Sequence, residues 1–514
     1  MQIKERSKNT QLAINMGASL AAFIVSMGVN FFLTPYIVGS LGAAAYGFVG
    51  LANNVIGYTS LITIALNSMA GRFITISYQQ GRVDDANKYF ASVFYSNLIL
   101  SAIIILSLGI CVVFLEKMFN IPEELIWDVK LLFSLLLINS VVGLMTNIYA
   151  VATFIKNKLE LSSIRTIIGN VIRAIVLILL FGLCHPYIWY LGLSGLLVTL
   201  YTAYTNFRYT RWLTPELTVK RTNFDFDKVR ELIKSGFWNL VNRLSELLAQ
   251  GLDLVMVNLF ISAAAMGTLS LTKSVPTLIF SLFSTISAVF APLFTQLYSS
   301  SKKEELKTEI LKSIRILGFF TTIPWVVFFC YGEDFYALWL PTQDASLLQH
   351  ISQIGIIASL LCMPLESLWN IFTITNNLKY NTLFLLVQNA LSFVVIWLIL
   401  FFVNCGDYTL YLFVVVRVIF SFAKNLYLLP IRSAKCLSYH WFTFFPPMIK
   451  SVSCAAVGIM ICLVMHHYFK ANTWIEFIVF GGVSVLVAIV INYFIILHQT
   501  DREFIKVKIL HFKK

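Results

Sequence analysis

Long apolar runs separated by short polar stretches fill most of this chain. A helix needs about 20 apolar residues to cross the hydrocarbon core of a bilayer. Fourteen runs meet that requirement, and we predict membrane-spanning helices at 12–38, 44–70, 89–115, 131–154, 162–183, 187–207, 234–260, 264–296, 313–331, 346–375, 382–403, 408–428, 448–468 and 474–498. The pattern predicts an all-α integral membrane protein.

Composition supports a membrane protein and excludes an ordinary soluble one. Of 514 residues, 58% are hydrophobic and only 12% are charged, whereas soluble domains are about 25% charged. The mean hydropathy is +0.79. The 22 tyrosines and 10 tryptophans suit the two membrane–water interfaces.

The distribution of basic residues predicts the orientation. Most of the 38 lysines and arginines lie at the termini, in the even-numbered loops or at the helix ends beside them, whereas the outer loops hold Lys117, Lys130 and Lys470. Because cytoplasmic loops are rich in Lys and Arg, we expect both termini in the cytoplasm. The net charge of +13 therefore marks a membrane face, and no nucleic-acid partner is expected.

An internal repeat relates two parts of the chain. The segment "GAAAYGFVGLANNV" (42–55) matches "SAAAMGTLSLTKSV" (262–275) without a gap, so that Gly47 aligns with Gly267. Predicted helices 1–6 form the first copy and helices 7–12 the second, and because six is an even number both copies have the same orientation, a parallel repeat. Chance similarity between apolar helices is the alternative.

The repeat predicts the domain organisation. We expect an N-terminal six-helix lobe at 1–207, a cytoplasmic connection at 208–233 and a second six-helix lobe at 234–430. Residues 431–514 would form two extra helices and a basic cytoplasmic tail. Two such lobes around a central site suit alternating access.

The seventh predicted helix carries an unusual polar stripe. At about 100° per residue, Asn239, Arg243, Glu246, Gln250 and Asp253 share one face. A charge at the bilayer centre costs at least about 2.5–3.5 kcal/mol, so this face is expected to meet protein or water. Further polar faces in the other predicted helices include Asn30, Asn53, Asn67, Lys273, Glu366 and Asn370.

Together these faces predict a hydrated cavity between the lobes. Arg243 and Lys273 are the candidates for binding an anion such as a diphosphate, because charge-assisted hydrogen bonds are strong. Asn30, Asn53, Asn67, Asn239, Gln250 and Asn370 are the candidates for binding hydroxyl groups of a sugar. The acids Glu246, Asp253 and Glu366 are the candidates for binding a coupling Na⁺ or H⁺.

Each charge also has a structural interpretation. Arg243 and Glu246 are spaced to pair with each other, and Lys273 can extend its amine to the interface. Asp253 can be interfacial, and Glu366 can satisfy backbone freed by a kink at Pro364. For Arg173 and Arg417, which lie away from the predicted seam, we expect a role within a lobe. The eight cysteines are scattered and form no CxxC, so no metal site is predicted.

The segment "NFFLTPYIVGSLGAAAYGFVGLANNV", with Pro35, Gly42, Tyr46 and Gly47, followed by "AGRFI" with Arg72, resembles the bacterial polysaccharide-biosynthesis membrane proteins. These are O-antigen or capsule repeat-unit flippases of the multidrug/oligosaccharidyl-lipid/polysaccharide (MOP) exporter superfamily, which also contains lipid II flippases and MATE transporters. The resemblance covers essentially the whole chain.

The resemblance implies a V-shaped fold in the cytoplasmic membrane that moves an undecaprenyl-diphosphate oligosaccharide from the inner to the outer leaflet. It implies a cationic lumen, which Arg243 and Lys273 would supply. At the matching positions the first copy has Phe23 and Asn53, so the expected anion site is asymmetric. We expect a monomer with no cofactor, with polysaccharide polymerase machinery as a partner.

Two other functions compete with the flippase hypothesis. A cation-coupled, MATE-like multidrug exporter would use the stripes to bind organic cations, and its lumen would hold more acids than bases. A membrane-embedded polymerase or ligase would need large outer loops or a soluble domain with paired carboxylates. The outer loops predicted here, such as 116–130 and 332–345, are short.

Overall fold

The computed structural model describes residues 8–497, apart from residues 157, 289, 376 and 403–407. The secondary structure within these ranges is helical, and no strand occurs in them. Eleven segments of this part of the chain are long and apolar enough to cross a membrane. The predicted all-α membrane fold is confirmed, while the count of fourteen helices stays a prediction.

The helices form two compact units, Met1–Gly267 (unit 1) and Thr268–Lys514 (unit 2). This division follows packing, whereas the predicted lobe boundary at 208–233 follows the sequence repeat and stays a prediction. Unit 1 contains α1 (Lys8–Gly57), α2 (Thr59–Gln79), α3 (Val83–Val113), α4 (Leu115–Met118), α5 (Ile126–Thr146), α6 (Val151–Ile155), α7 (Leu159–Leu183), α8 (Tyr190–Leu213), α9 (Phe226–Glu246) and α10 (Asp253–Phe260).

Helix pairs build the interior of unit 1. α1 packs along α7, α5 packs along α8, and α2 packs along both α3 and α9. The apolar core around α2, α3 and α9 includes Leu66, Ile74, Phe90 and Leu232, which are all buried. The seventh predicted helix therefore lies beside the second, and this pairing positions the polar stripe.

Several helix boundaries differ from the predicted ones. α1 covers the predicted helix 12–38 and the start of the predicted helix 44–70, and between these two Gly42 has φ 82° and ψ 165°, a backbone conformation that glycine adopts without a Cβ clash. The bounds of the predicted helix 44–70 are wrong, because the helix is interrupted at Tyr58 and α2 continues to Gln79. The predicted helix 234–260 is divided by a π-helical turn, Leu247–Gly251.

The two copies of the repeated segment touch within unit 1. A Cβ atom built on Gly267 would lie 2.3 Å from the carbonyl oxygen of Ala43, and one built on Gly47 would lie 2.9 Å from the Cα atom of Gly267. These distances exclude any side chain unless the backbone moves. The two aligned glycines thus allow the repeated segments to pack backbone against backbone.

Helix α11 (Ala263–Ala288) begins in unit 1 and continues into unit 2. The other helices of unit 2 are α12 (Ala291–Ser299), α13 (Lys303–Trp339), α14 (Ala345–Cys362), α15 (Trp369–Ile374), α16 (Leu378–Phe402), α17 (Thr409–Ala423), α18 (Ser433–Cys436), α19 (Phe445–Tyr468) and α20 (Trp474–Ile495). The 37-residue α13 is about 55 Å long at 1.5 Å per residue, and α14, α19 and α20 pack along it.

A 3₁₀ segment, Met363–Leu368, separates α14 from α15. It contains Pro364, which has no N–H to donate to a helix. The predicted kink at this proline is confirmed.

Candidate functional site

The polar stripe of α9 faces hydroxyl groups of α2. The Nδ2 atom of Asn239 donates to Ser68 Oγ over 3.0 Å, and the Nε atom of Arg243 donates to Ser60 Oγ over 2.9 Å. Ser60 lies seven residues, about two helical turns, from Asn53 and from Asn67, the residues of the polar face predicted for the second helix. Two of the predicted polar faces therefore meet, and we call this interface the α2–α9 seam.

Arg243 and Glu246 form an ion pair, with Nη1 of the arginine 2.9 Å from Oε2 of the glutamate. Their side chains are 34% and 55% exposed, respectively. The Nδ2 atom of Asn242 also donates to Oε1 of Glu246 over 3.3 Å. Because exposed ion pairs contribute only about 0–1 kcal/mol, an anionic ligand can displace this carboxylate from Arg243 at low cost.

The π-helical turn connects the stripe to α10. The Oη atom of Tyr58 donates to the carbonyl oxygen of Gly251 over 2.7 Å, which satisfies a backbone acceptor at the helix break. Asp253 opens α10 and is buried, with 3% of its surface exposed. The side chain of Gln250 lies outside the described residues.

The predicted sugar-binding asparagines of the first copy each form hydrogen bonds within unit 1, and none of their bonds among the described residues is to the polar stripe of α9. Asn67 and Asn97 exchange reciprocal hydrogen bonds of 2.9 and 3.0 Å between α2 and α3. Asn53 is exposed on α1, where its Nδ2 atom bonds the carbonyl of Val49 in the preceding turn. The Oδ1 atom of Asn30 accepts from Nη1 of Arg173 over 3.5 Å.

The remaining predicted site residues lie in unit 2. Lys273 is half-buried on α11. The Nδ2 atom of Asn370 donates to the carbonyl of Ser287 over 3.3 Å. Glu366 is buried, accepts from the Sγ atom of Cys362 over 3.8 Å and interacts electrostatically with Lys424.

Unit 1 also contains a polar cavity of about 390 Å³ that was not predicted from the sequence. Its polar lining includes Asn53, Asn139, Arg165, Thr166, Asn170 and Arg173. Arg165, Gly169 and Arg173 follow one another at i, i+4 and i+8 on α7, so they share a helix face. That spacing was the available signal, but Arg165 lies at the start of the predicted helix 162–183, where a basic residue is typical of the cytoplasmic membrane face.

Comparison with known proteins identifies a family and a fold. Residues 40–340 match the family described as "Polysaccharide biosynthesis protein". Over 500 residues the chain is 27% identical to the uncharacterized membrane protein EpsK of Bacillus subtilis (strain 168), covering 96% of this chain and 97% of that protein.

Solved structures of two kinds of transporter share the fold. The lipid II flippase MurJ, in an inward closed conformation, gives a TM-score of 0.67 at 13% identity, covering 94% of this chain and 99% of MurJ. An inward-facing multidrug resistance MATE family transporter of the MOP superfamily gives a TM-score of 0.63 at 13% identity, and the match covers 83% of this chain and 98% of that transporter. The MATE multidrug transporter DinF-BH in complex with R6G also gives a TM-score of 0.63 at 13% identity, and the match covers 86% of this chain and 100% of DinF-BH.

Proposed function

Because the chain belongs to the polysaccharide biosynthesis protein family, we propose that it is a flippase for an undecaprenyl-diphosphate-linked oligosaccharide repeat unit. It would carry this substrate from the inner to the outer leaflet of the bacterial cytoplasmic membrane by alternating access. The observation that carries the proposal is the family match at 40–340, which contains both the α2–α9 seam and Lys273. The transporter fold shared with MurJ supports it.

The proposed substrate has a charged diphosphate and many hydroxyl groups, and the seam offers partners for both. Arg243 is held by a neutral hydroxyl and by an exposed carboxylate. In this proposal the diphosphate replaces Glu246 at Arg243, and Lys273 is the second candidate ligand for an anion. Asn30, Asn53, Asn67, Asn239, Gln250 and Asn370 supply amide donors and acceptors for the sugar.

Coupling to an ion gradient is a further part of the proposal. Glu246, Asp253 and Glu366 are its candidate Na⁺ or H⁺ ligands. Asp253 and Glu366 are buried, and carboxylates buried in a membrane protein are expected to be paired or to bind an ion. We propose a monomer that works with polysaccharide polymerase machinery.

The second candidate is a cation-coupled multidrug exporter. It is favoured by the fold similarity to MATE transporters, including DinF-BH in complex with R6G, and by the exposed carboxylate of Glu246. Reconstituted flipping of a fluorescent lipid-linked oligosaccharide, measured beside the efflux of a cationic dye, tests one function against the other.

A further inference from the structure

The cavity in unit 1 lies among four helices. Asn53 comes from α1, Asn139 from α5, Arg165 and Arg173 from α7, and Thr199 from α8. Its volume of about 390 Å³ lies at the lower end of the range of about 300–1,000 Å³ for small-molecule sites. It therefore suits a head group better than a complete lipid-linked oligosaccharide.

The charge of this cavity is positive and uncompensated. No Asp or Glu occurs among its described lining residues. Arg165 is buried, and its Nη1 and Nη2 atoms donate to Asn206 and Ser162, which are both neutral. A buried cation without a counter-charge is costly in a membrane protein, so the cavity is expected to attract an anion.

Arg173 has hydrogen-bonding capacity left over. Its Nη1 atom donates to Asn30 over 3.5 Å, a distance beyond that of a good N–H···O bond. Its Nε atom is buried and has no hydrogen-bond partner among the described residues. A guanidinium in this state offers the two-donor fork that matches the oxygens of a phosphate group.

Neutral donors surround the two arginines. The amide of Asn170 is held in place by donating to Ser26 Oγ over 2.7 Å and to the carbonyl of Thr166 over 3.0 Å. The hydroxyl of Thr199 donates to Asn139 Oδ1, which leaves the amide nitrogen of Asn139 available as a donor. Asn170 and Thr199 have therefore given their hydrogens to other acceptors, and the amide of Asn139 is the neutral donor left for a phosphate oxygen.

We propose that this cavity binds a phosphate or diphosphate group, with Arg173 as the principal ligand and Arg165 as a fixed second charge. If the group is the diphosphate of a lipid-linked saccharide, the cavity is a further binding site for the flippase substrate, and this assignment rests on the proposed function. Free phosphate or pyrophosphate would use the same chemistry without that premise.

Calorimetric titration of the purified full chain in detergent tests this site. The two probes are inorganic pyrophosphate and a short polyprenyl diphosphate. We expect binding to weaken about tenfold or more in Arg173→Gln, the loss of about one charge-assisted hydrogen bond. The affinity of Arg173→Lys should lie between those of the wild type and Arg173→Gln, because lysine keeps the positive charge and loses the two-donor geometry of the guanidinium. Arg417→Gln removes a guanidinium that donates to Ser392 in unit 2, and this control should bind as the wild type does.

A second variant addresses the risk that Arg173→Gln misfolds. Asn53→Asp is nearly isosteric and places a carboxylate in the cavity wall, so it should also weaken binding while the thermal unfolding midpoint stays near that of the wild type. Binding of the polyprenyl probe alone assigns the site to a lipid head group, and equal binding of both probes assigns it to the anion itself. Absence of binding to the wild type, or unchanged binding in Arg173→Gln and Asn53→Asp, overturns the inference. A failed flipping assay would leave these binding results unaffected.

Discussion

Arg243 donates a hydrogen bond from Nε to Ser60 Oγ across the α2–α9 seam, over 2.9 Å. The same guanidinium pairs with Glu246 one helical turn away, and about one third of the arginine side chain stays exposed. The cation is thus oriented by a hydroxyl of a neighbouring helix while its charged partner is exposed. This arrangement suits a cation that exchanges one anionic partner for another.

The first prediction concerns that cation. Arg243→Gln removes the proposed charge-assisted hydrogen bond to the diphosphate, worth about 1.5–3 kcal/mol, so we expect the initial flipping rate in proteoliposomes to fall about ten- to a hundredfold. Ser60→Ala should lower the free energy of unfolding by only about 0.6 kcal/mol, the average for interhelical hydrogen bonds in membranes. Wild-type flipping in Arg243→Gln would show that the ion pair is only structural.

The second prediction concerns the amide pair of Asn67 and Asn97. Asn97 is fully buried and also donates to the carbonyl of Leu144. Asn97→Ala removes the donor to the carbonyl of Leu144 and both hydrogen bonds with Asn67. We therefore expect a loss of about 1–3 kcal/mol in unfolding free energy. Because the two amides share their bonds, the double variant with Asn67→Ala should lose less than the sum of the singles. Strictly additive losses in detergent unfolding would refute this coupling.

The third prediction concerns the contact between the repeated segments. Gly267→Ala places a Cβ atom against the carbonyl oxygen of Ala43, and relieving such overpacking typically costs about 1–3 kcal/mol. Gly28→Ala on α1 is the control, because no atom lies within 4 Å of its built Cβ. The thermal unfolding midpoint should fall in the first variant and hold or rise in the second. Equal midpoints would mean that the segments separate without cost.

The fourth prediction tests orientation with the chain's own cysteines. Cys184 is exposed, and Cys436 is half-buried. The distribution of basic residues predicts that Cys184 lies outside the cell and Cys436 in the cytoplasm. A membrane-impermeant maleimide should therefore label the Cys184 peptide in intact cells and the Cys436 peptide only after permeabilisation, as read by peptide mapping. The reverse pattern would invert the predicted topology.

The fold class could be predicted from the sequence because a bilayer imposes its thickness on each apolar run. The polar face of the seventh helix was equally visible, since Asn239 and Arg243 recur at helical spacing and both meet hydroxyls of α2. The helix breaks at Tyr58 and at Leu247–Gly251 were not predicted, because neither contains proline and the glycine at each, Gly57 or Gly251, is only a weak signal inside an apolar run.

The sequence also did not reveal which helices pack together. A repeat relates equivalent residues but does not say which of them touch, so the contact of Gly47 with Gly267 required the structure. The expected role of Arg173 within its own lobe agrees with a cavity inside unit 1. Arg173 and Arg165 share a face of α7 by their spacing alone, but the cavity in front of that face depends on how α7 packs against α1 and α8, and that packing is a tertiary property.

The most direct test of the central claim is flipping by the reconstituted wild type. A fluorescent undecaprenyl-diphosphate oligosaccharide would be placed in liposomes, and its exposure to an external quencher would be followed for the wild type, for Arg243→Ala with Lys273→Ala, and for Arg417→Gln. We predict protein-dependent flipping that the double variant abolishes and the Arg417 control retains, with all three proteins folded. Absence of flipping by the wild type, together with efflux of a cationic dye, would contradict it and assign the protein to drug export.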